Sequence, residues 1–194
     1  YGGWQEADVE ISAEHTAVVV MHAWDAGTQA QYPGWYRAVE YIPRAQAIAT
    51  HVLAPLLAAV RRSSLPLFHV VGGQDYYSHL PGYQRARDLA GPPPPAPERA
   101  APDPVLEALQ AFRARHVFVG PHNQADVERG FARLDFMPEA RPVDGEGVAE
   151  NAPQLLALCR QAGVNHLLYA GFAINWCLLL SPGGGLVVIT WVVA

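Results

Sequence analysis

Gly163 to Cys177 reads GVNHLLYAGFAINWC, and this stretch decides the fold. Gly163 follows a helical pattern and can stop it, since glycine readily adopts the left-handed conformation that ends a helix. His166 to Ala170 (HLLYA) is then a short apolar run, and Gly171 opens a turn that leads to Cys177. An apolar run of this length, with a helix before it and a turn after it, reads as a strand covered on both faces. Such strands belong to parallel sheets.

Working outward, the helix before this strand spans about Asn151 to Gln161. Asn151 caps its first turn and Gly163 ends it. Further strand-like runs lie at Thr16 to Met21 (TAVVVM), Leu65 to Val71 (LPLFHVV), His116 to Val119 (HVFV) and Leu186 to Val193 (LVVITWVV). They stand too far apart for hairpins. Between the first two, Pro43 to Arg62 carries Ala47, Ile48, Val52, Leu56, Leu57 and Val60 at helical spacing and ends in Arg61 and Arg62. Ala101 to Arg115 reads as another helix, with Pro102 and Pro104 near its start and Leu106, Leu109 and Phe112 on one face. Strands alternating with helices require right-handed crossovers. The expectation is an α/β fold: a three-layer α/β/α, Rossmann-like arrangement around a doubly wound, mostly parallel sheet of five to six strands. Ligands in such sheets bind beyond the C-terminal strand ends.

The 194 residues suit one domain spanning 1–194. At 51% hydrophobic and 16% charged, the chain is too apolar for disorder. A net charge of −5 and the absence of a basic run point away from nucleic acid and anionic membranes, leaving a small molecule as the expected partner. Two cysteines, no secretory leader pattern and no apolar run of membrane-spanning length predict a cytoplasmic protein. Pro92 to Pro95 reads as a semi-rigid surface loop. The connection after Cys177 is shorter than a parallel crossover normally needs, and Pro182 with three glycines interrupts it.

A cysteine at the start of a helix that follows a strand lies near unpaired backbone N–H groups and the positive end of the helix dipole. Both favour the thiolate, and the same N–H groups can receive an oxyanion. Cys177 occupies such a position. A free cysteine is also commonly a small buried core residue, and both readings stay open for Cys177. Cys159, mid-helix between Leu158 and Arg160, reads as core.

The segment from Gly163 to Cys177 resembles the signature of the isochorismatase-like cysteine hydrolases: an apolar strand followed by Gly-Val-Ala-Thr-Asn-x-Cys. Gly171, Ala173, Asn175 and Cys177 stand in register with it. Ala17 to Asp25 (AVVVMHAWD) resembles the family's first strand and its acidic continuation, and Pro43 to Val71 its first helix and second strand. The resemblance implies an enzyme related to nicotinamidases, isochorismatases and carbamoylsarcosine amidases, assembled as a homo-oligomer. It further implies a cysteine nucleophile, an aspartate base at the end of strand one and a lysine after strand three. A cis peptide, here between Phe172 and Ala173, would shape an oxyanion site formed by the N–H groups of Ala173 and Cys177.

Two of these positions depart from the pattern. The aspartate position falls on His22 and the lysine position near Pro121; all 13 basic residues are arginine, so no lysine exists to realign. An imidazole can still take a thiol proton at neutral pH, which makes His22 the candidate base for Cys177. His122 is a second candidate. Asp25, Trp24, Trp35, Tyr36, Tyr76, Phe172 and Asn175 are candidate pocket residues. His51, His69 and His79 fall in a helix, a strand and a loop, so neither a metal nor another cofactor is expected. The two functional expectations are a hydrolase with an altered triad and a catalytically silent relative that binds a small ligand or serves in assembly.

Overall fold

The computed structural model describes residues 3, 6–93, 95, 98, 101–173, 176–185 and 188. In chain order, strand β1 (Thr16–Met21) is followed by helices α1 (Pro33–Ala38), α2 (Ile42–Ile48) and α3 (Ala54–Arg62), then strand β2 (Leu67–Val70). Next come α4 (Pro81–Ala90), α5 (Pro104–His116), α6 (Pro121–Phe131), β3 (Gly147–Ala149), α7 (Ala152–Ala162), β4 (His166–Gly171) and α8 (Cys177–Leu180).

The four strands pair in parallel in the order β3-β2-β1-β4. β1 is wholly buried, so its alternate residues serve two cores. Ala17, Val19 and Met21 meet Leu155 and Leu158 of α7 on one face. Val18 and Val20 meet Ala49, Leu53 and Leu57 of the α2–α3 run on the other. The result is an α/β fold, a parallel sheet between helices, as the alternating strand and helix pattern predicts. α7 has the expected ends: Asn151 Oδ1 accepts the Gln154 N–H at 3.0 Å, and Gly163 takes the left-handed conformation at φ +69°.

Several sequence expectations need correction. The sheet has four strands among the described residues rather than five to six. His116 to Val119 forms no strand: α5 runs on through His116, and Gly120 at φ +76° with Pro121 at the next helix start turns the chain into α6. β3 was not expected, because three small residues amid glycines carry no readable apolar period. The expected last strand, Leu186 to Val193, lies outside the described residues except for Val188, which is buried and donates its N–H to Gly184 O at 2.9 Å.

The helix expected over Pro43 to Arg62 is present, but with a π-helical segment at Ala49–Leu53 ahead of Pro55. A proline inside a helix offers no N–H and crowds the turn before it, and a wider turn accommodates that. Ala45, Ala49, Leu53, Leu57 and Val60 point inward, while Val52 and Leu56, expected inside, are exposed.

Candidate functional site

In the order β3-β2-β1-β4, the chain leaves β1 and β4 toward opposite faces. After β1 it builds α2 and α3 over Val18 and Val20; after β4, Cys177 and Leu178 of α8 pack against the Ala17, Val19 and Met21 side. Adjacent strands whose continuations diverge in this way leave a crevice at their C-terminal ends. The β1–β4 ladder ends on the pair Met21–Gly171, and the next residue, Phe172, donates its N–H to Met21 O at 3.1 Å. Only glycine fits at 171. Its φ is +140°, and a Cβ there would fall on the Met21 carbonyl oxygen.

A cavity of about 300 Å³ opens at this point. It brings together six residues that the sequence singled out on three separate segments: His22 and Trp24 after β1, Trp35 in α1, and Phe172, Ala173 and Cys177 after β4. The Phe172–Ala173 peptide bond is cis.

His22 follows β1 directly. Its N–H donates to Val70 O at 3.0 Å and its carbonyl accepts the Trp24 N–H at 2.9 Å, a tight turn in which His22 takes φ +50°. The imidazole stacks on the Trp24 indole, with ring centroids 4.6 Å apart and planes 14° from parallel. Trp24 is fixed in turn, donating its Nε1–H to the Tyr76 hydroxyl at 2.8 Å, and the segment Ala23 to Asp25 pairs with Asp135 to Met137. The His22 ring is buried, and Nδ1 has no hydrogen-bond partner among the described residues. Burial lowers its pKa from the usual 6.5 to about 4, against an opposing pull from the Val71 backbone. His22 is therefore neutral at physiological pH.

Cys177 is half-buried and opens α8. That helix is a single turn, Cys177–Leu180, because Ser181 is extended and Pro182 follows; the helix dipole expected from the sequence is correspondingly small. The Ala173 carbonyl receives the Trp176 and Leu178 N–H groups at 3.2 and 3.1 Å, which folds the turn back on itself and holds Cys177 at the cavity. Tyr41 is a neighbour of the thiol: burial first, and then the Cys177 charge, raise its pKa.

Other expected residues lie elsewhere. Asp25 is exposed, faces a separate small cavity and closes its own turn by accepting the Gly27 N–H at 2.8 Å. His122 stands exposed in the first turn of α6, away from the cavity, because the strand meant to present it does not form. Tyr36 instead donates its hydroxyl to Gly27 O at 2.6 Å. Asn175 lies outside the described residues. Sequence reading missed Tyr41, Phe118, Phe131 and Trp176 as cavity residues. Trp176 had a signal, its place beside Cys177; the others arrive from distant segments through packing alone.

His69, on β2, is buried and pairs through Nε2 with Glu146 Oε2 at 2.7 Å. Glu146 also receives Arg61 Nε at 2.7 Å and the Val143 N–H at 3.0 Å. This network ties α3, β2 and the segment before β3 together, apart from the cavity. Among the described residues no cluster of three or more His, Cys, Asp or Glu could hold a metal ion, and no helix is long and apolar enough to cross a membrane.

The fold and site thus define an open α/β protein with a cysteine and a neutral histidine at its switch-point cavity. No family model matches the chain, and no curated protein matches it. Among solved structures it is similar to an isochorismatase from Pseudomonas putida KT2440, at 16% identity and a TM-score of 0.37 over 87% of this chain. The chain spans 62% of the length of that structure.

Proposed function

We propose that residues 1–194 form an isochorismatase-like cysteine hydrolase domain that cleaves a small amide, imide or related acyl bond through Cys177. The observation that carries this reading is the convergence of Cys177 and His22, from the ends of neighbouring strands, on one cavity at the switch point.

In the reaction, His22 accepts the Cys177 thiol proton as the sulfur attacks the carbonyl carbon. Burial disfavours a standing imidazolium, so proton transfer accompanies C–S bond formation rather than preceding it. The N–H groups of Ala173 and Cys177 receive the tetrahedral oxyanion. As the C–N bond breaks, the amine leaves with the proton returned by His22, and a thioester remains on Cys177. Water, deprotonated by His22, then attacks the thioester; the acid departs and the thiol is restored.

A second reading is a catalytically silent domain that binds a small molecule in the same cavity. The replacement of the family's aspartate by His22 and the lack of any lysine favour it. Intact-mass spectrometry during incubation with amide, imide and ester panels separates the two. Acyl adducts on the native protein that vanish in Cys177→Ala support the hydrolase. Folded protein that binds panel members yet forms no adduct and releases no acid supports the silent domain.

A further inference from the structure

We infer that the acyl group this cavity accepts is uncharged and built on a flat, two-ring aromatic body. This deepens the hydrolase reading and rests on it.

The first support is the character of the lining. Trp24, Trp35, Tyr41, Phe118, Phe131 and Trp176 all border the cavity, and no Asp, Glu or Arg does so among the described residues. A carboxylate or ammonium on the substrate would give up its hydration and find no opposite charge. An apolar body gains from the same surroundings. Three of these rings brace one another: Phe131 lies 5.2 Å from Trp35 and 5.9 Å from Trp24 between centroids, and Trp24 stacks on His22. Braced aromatic surfaces offer a preformed slot to another ring.

Size is the second support. The cavity measures about 300 Å³, whereas a dry apolar cavity of about 150 Å³ takes benzene. Twice that volume fits two fused rings, whereas an acetamide-sized ligand fills only a small part of it. The third is the polar complement, which is small and sits where the reaction would be. Beside the Tyr41 hydroxyl and the indole N–H groups of the lining tryptophans, it includes the Cys177 sulfur and the His22 ring. A carbonyl or amide at one end of an otherwise apolar molecule matches that distribution.

Calorimetric titration of 2-naphthamide and 6-carboxy-2-naphthamide into the native protein and into Cys177→Ala tests the idea without requiring turnover. The neutral probe is expected to bind on the order of a hundredfold more tightly than its carboxylate, with acetamide showing no binding. Val39→Arg, at a half-buried lining position, is expected to remove most of that preference by supplying a counter-charge. Equal binding of the two naphthamides, tighter binding of the carboxylate, or no binding of either to folded protein overturns the inference. Neutral-ring binding without acyl transfer would remove the hydrolase and leave the cavity assignment standing. Turnover of ring-free or charged amides with no preference would do the reverse.

Discussion

Phe172 donates its backbone N–H to the Met21 carbonyl at 3.1 Å, one residue past the point where β1 and β4 stop pairing. That bond holds the two strand ends side by side, so His22 and the turn that carries Cys177 leave the sheet at the same level. Gly171 makes the close approach possible. Gly171→Ala is expected to push the strands apart and to cost roughly 1–3 kcal/mol or more, through overpacking and a strained φ. Urea unfolding measures the loss; a variant as stable as the native chain would mean that the strand ends are not in this contact.

The two cysteines are expected to differ sharply in reactivity. Burial raises the Cys159 pKa to about 11 and places the thiol in the core beside Leu155 and Leu158, whereas Cys177 is half-exposed at a cavity. Iodoacetamide at neutral pH should give one adduct, mapped to Cys177, with Cys159 modified only after denaturation. Prompt labelling of Cys159 in folded protein would contradict the packing of α7.

His22 makes stability depend on pH in a defined window. Its folded pKa of about 4 lies below the ordinary 6.5, so the unfolded chain binds a proton that the folded chain refuses. The stabilisation is complete above pH 6.5, declines as the pH falls and is gone below about 4. His22→Gln should reduce the slope of stability against pH near pH 5 by up to about 1.4 kcal/mol per pH unit. Buried His69, also lowered, keeps its own contribution. If His22 is the base, the acid limb of the rate profile in the native protein belongs near pH 4 and not near 6.5; chemical denaturation and initial rates across pH 3.5–8 check both.

Glu146 sets a second, more acidic window. Burial pushes its carboxyl up, but the hydrogen bonds from His69, Arg61 and Val143 outweigh it and hold the pKa at about 2. Its stabilisation is present above the ordinary 4.5 and is lost as the pH falls through 2. Glu146→Gln should lower stability at pH 7 by roughly 1–3 kcal/mol and flatten the acid-induced loss between pH 4.5 and 2. Thermal or urea midpoints at pH 7, 4 and 2.5 show whether the difference between variant and native narrows as predicted.

The packing of α3 on β1 predicts opposite fates for neighbouring leucines. Leu57 is fully buried against β1, so Leu57→Ala should cost about 2–5 kcal/mol. Leu56 is exposed, so Leu56→Ala should fall within about 0.5 kcal/mol of native stability. Comparable losses at the two positions would indicate that this helix turns a different face toward β1.

The strongest local signals were legible in the chain. Thr16–Met21 and Leu67–Val70 are strands because β-branched and apolar runs of that length bury well on both faces of a sheet. His166–Gly171 lies at the sheet edge among the described residues, half-covered, and is held as a strand by its pairing with β1. Asn151 with Gly163 bounds α7 through side-chain and backbone chemistry confined to a few residues. Where the outcome depended on non-local packing, the reading failed. His116 to Val119 has a strand's composition but follows α5 without a break, and β3 has no composition to recognise yet pairs with β2 through its backbone.

The same division holds for the candidate site. The sequence by itself determined the parallel α/β plan, the place of Cys177 just after a strand, and His22 at the end of β1, because these depend on residue type and short-range order. Tertiary structure decided that Cys177 and His22 share a cavity, that Asp25 and His122 do not, and that aromatic rings from α1, α6 and the intervening loops enclose it. It also decided that His22 is neutral. Burial and shared cavities are properties of segments distant in the chain brought together, and they exist only once the sheet has fixed which strand ends are neighbours.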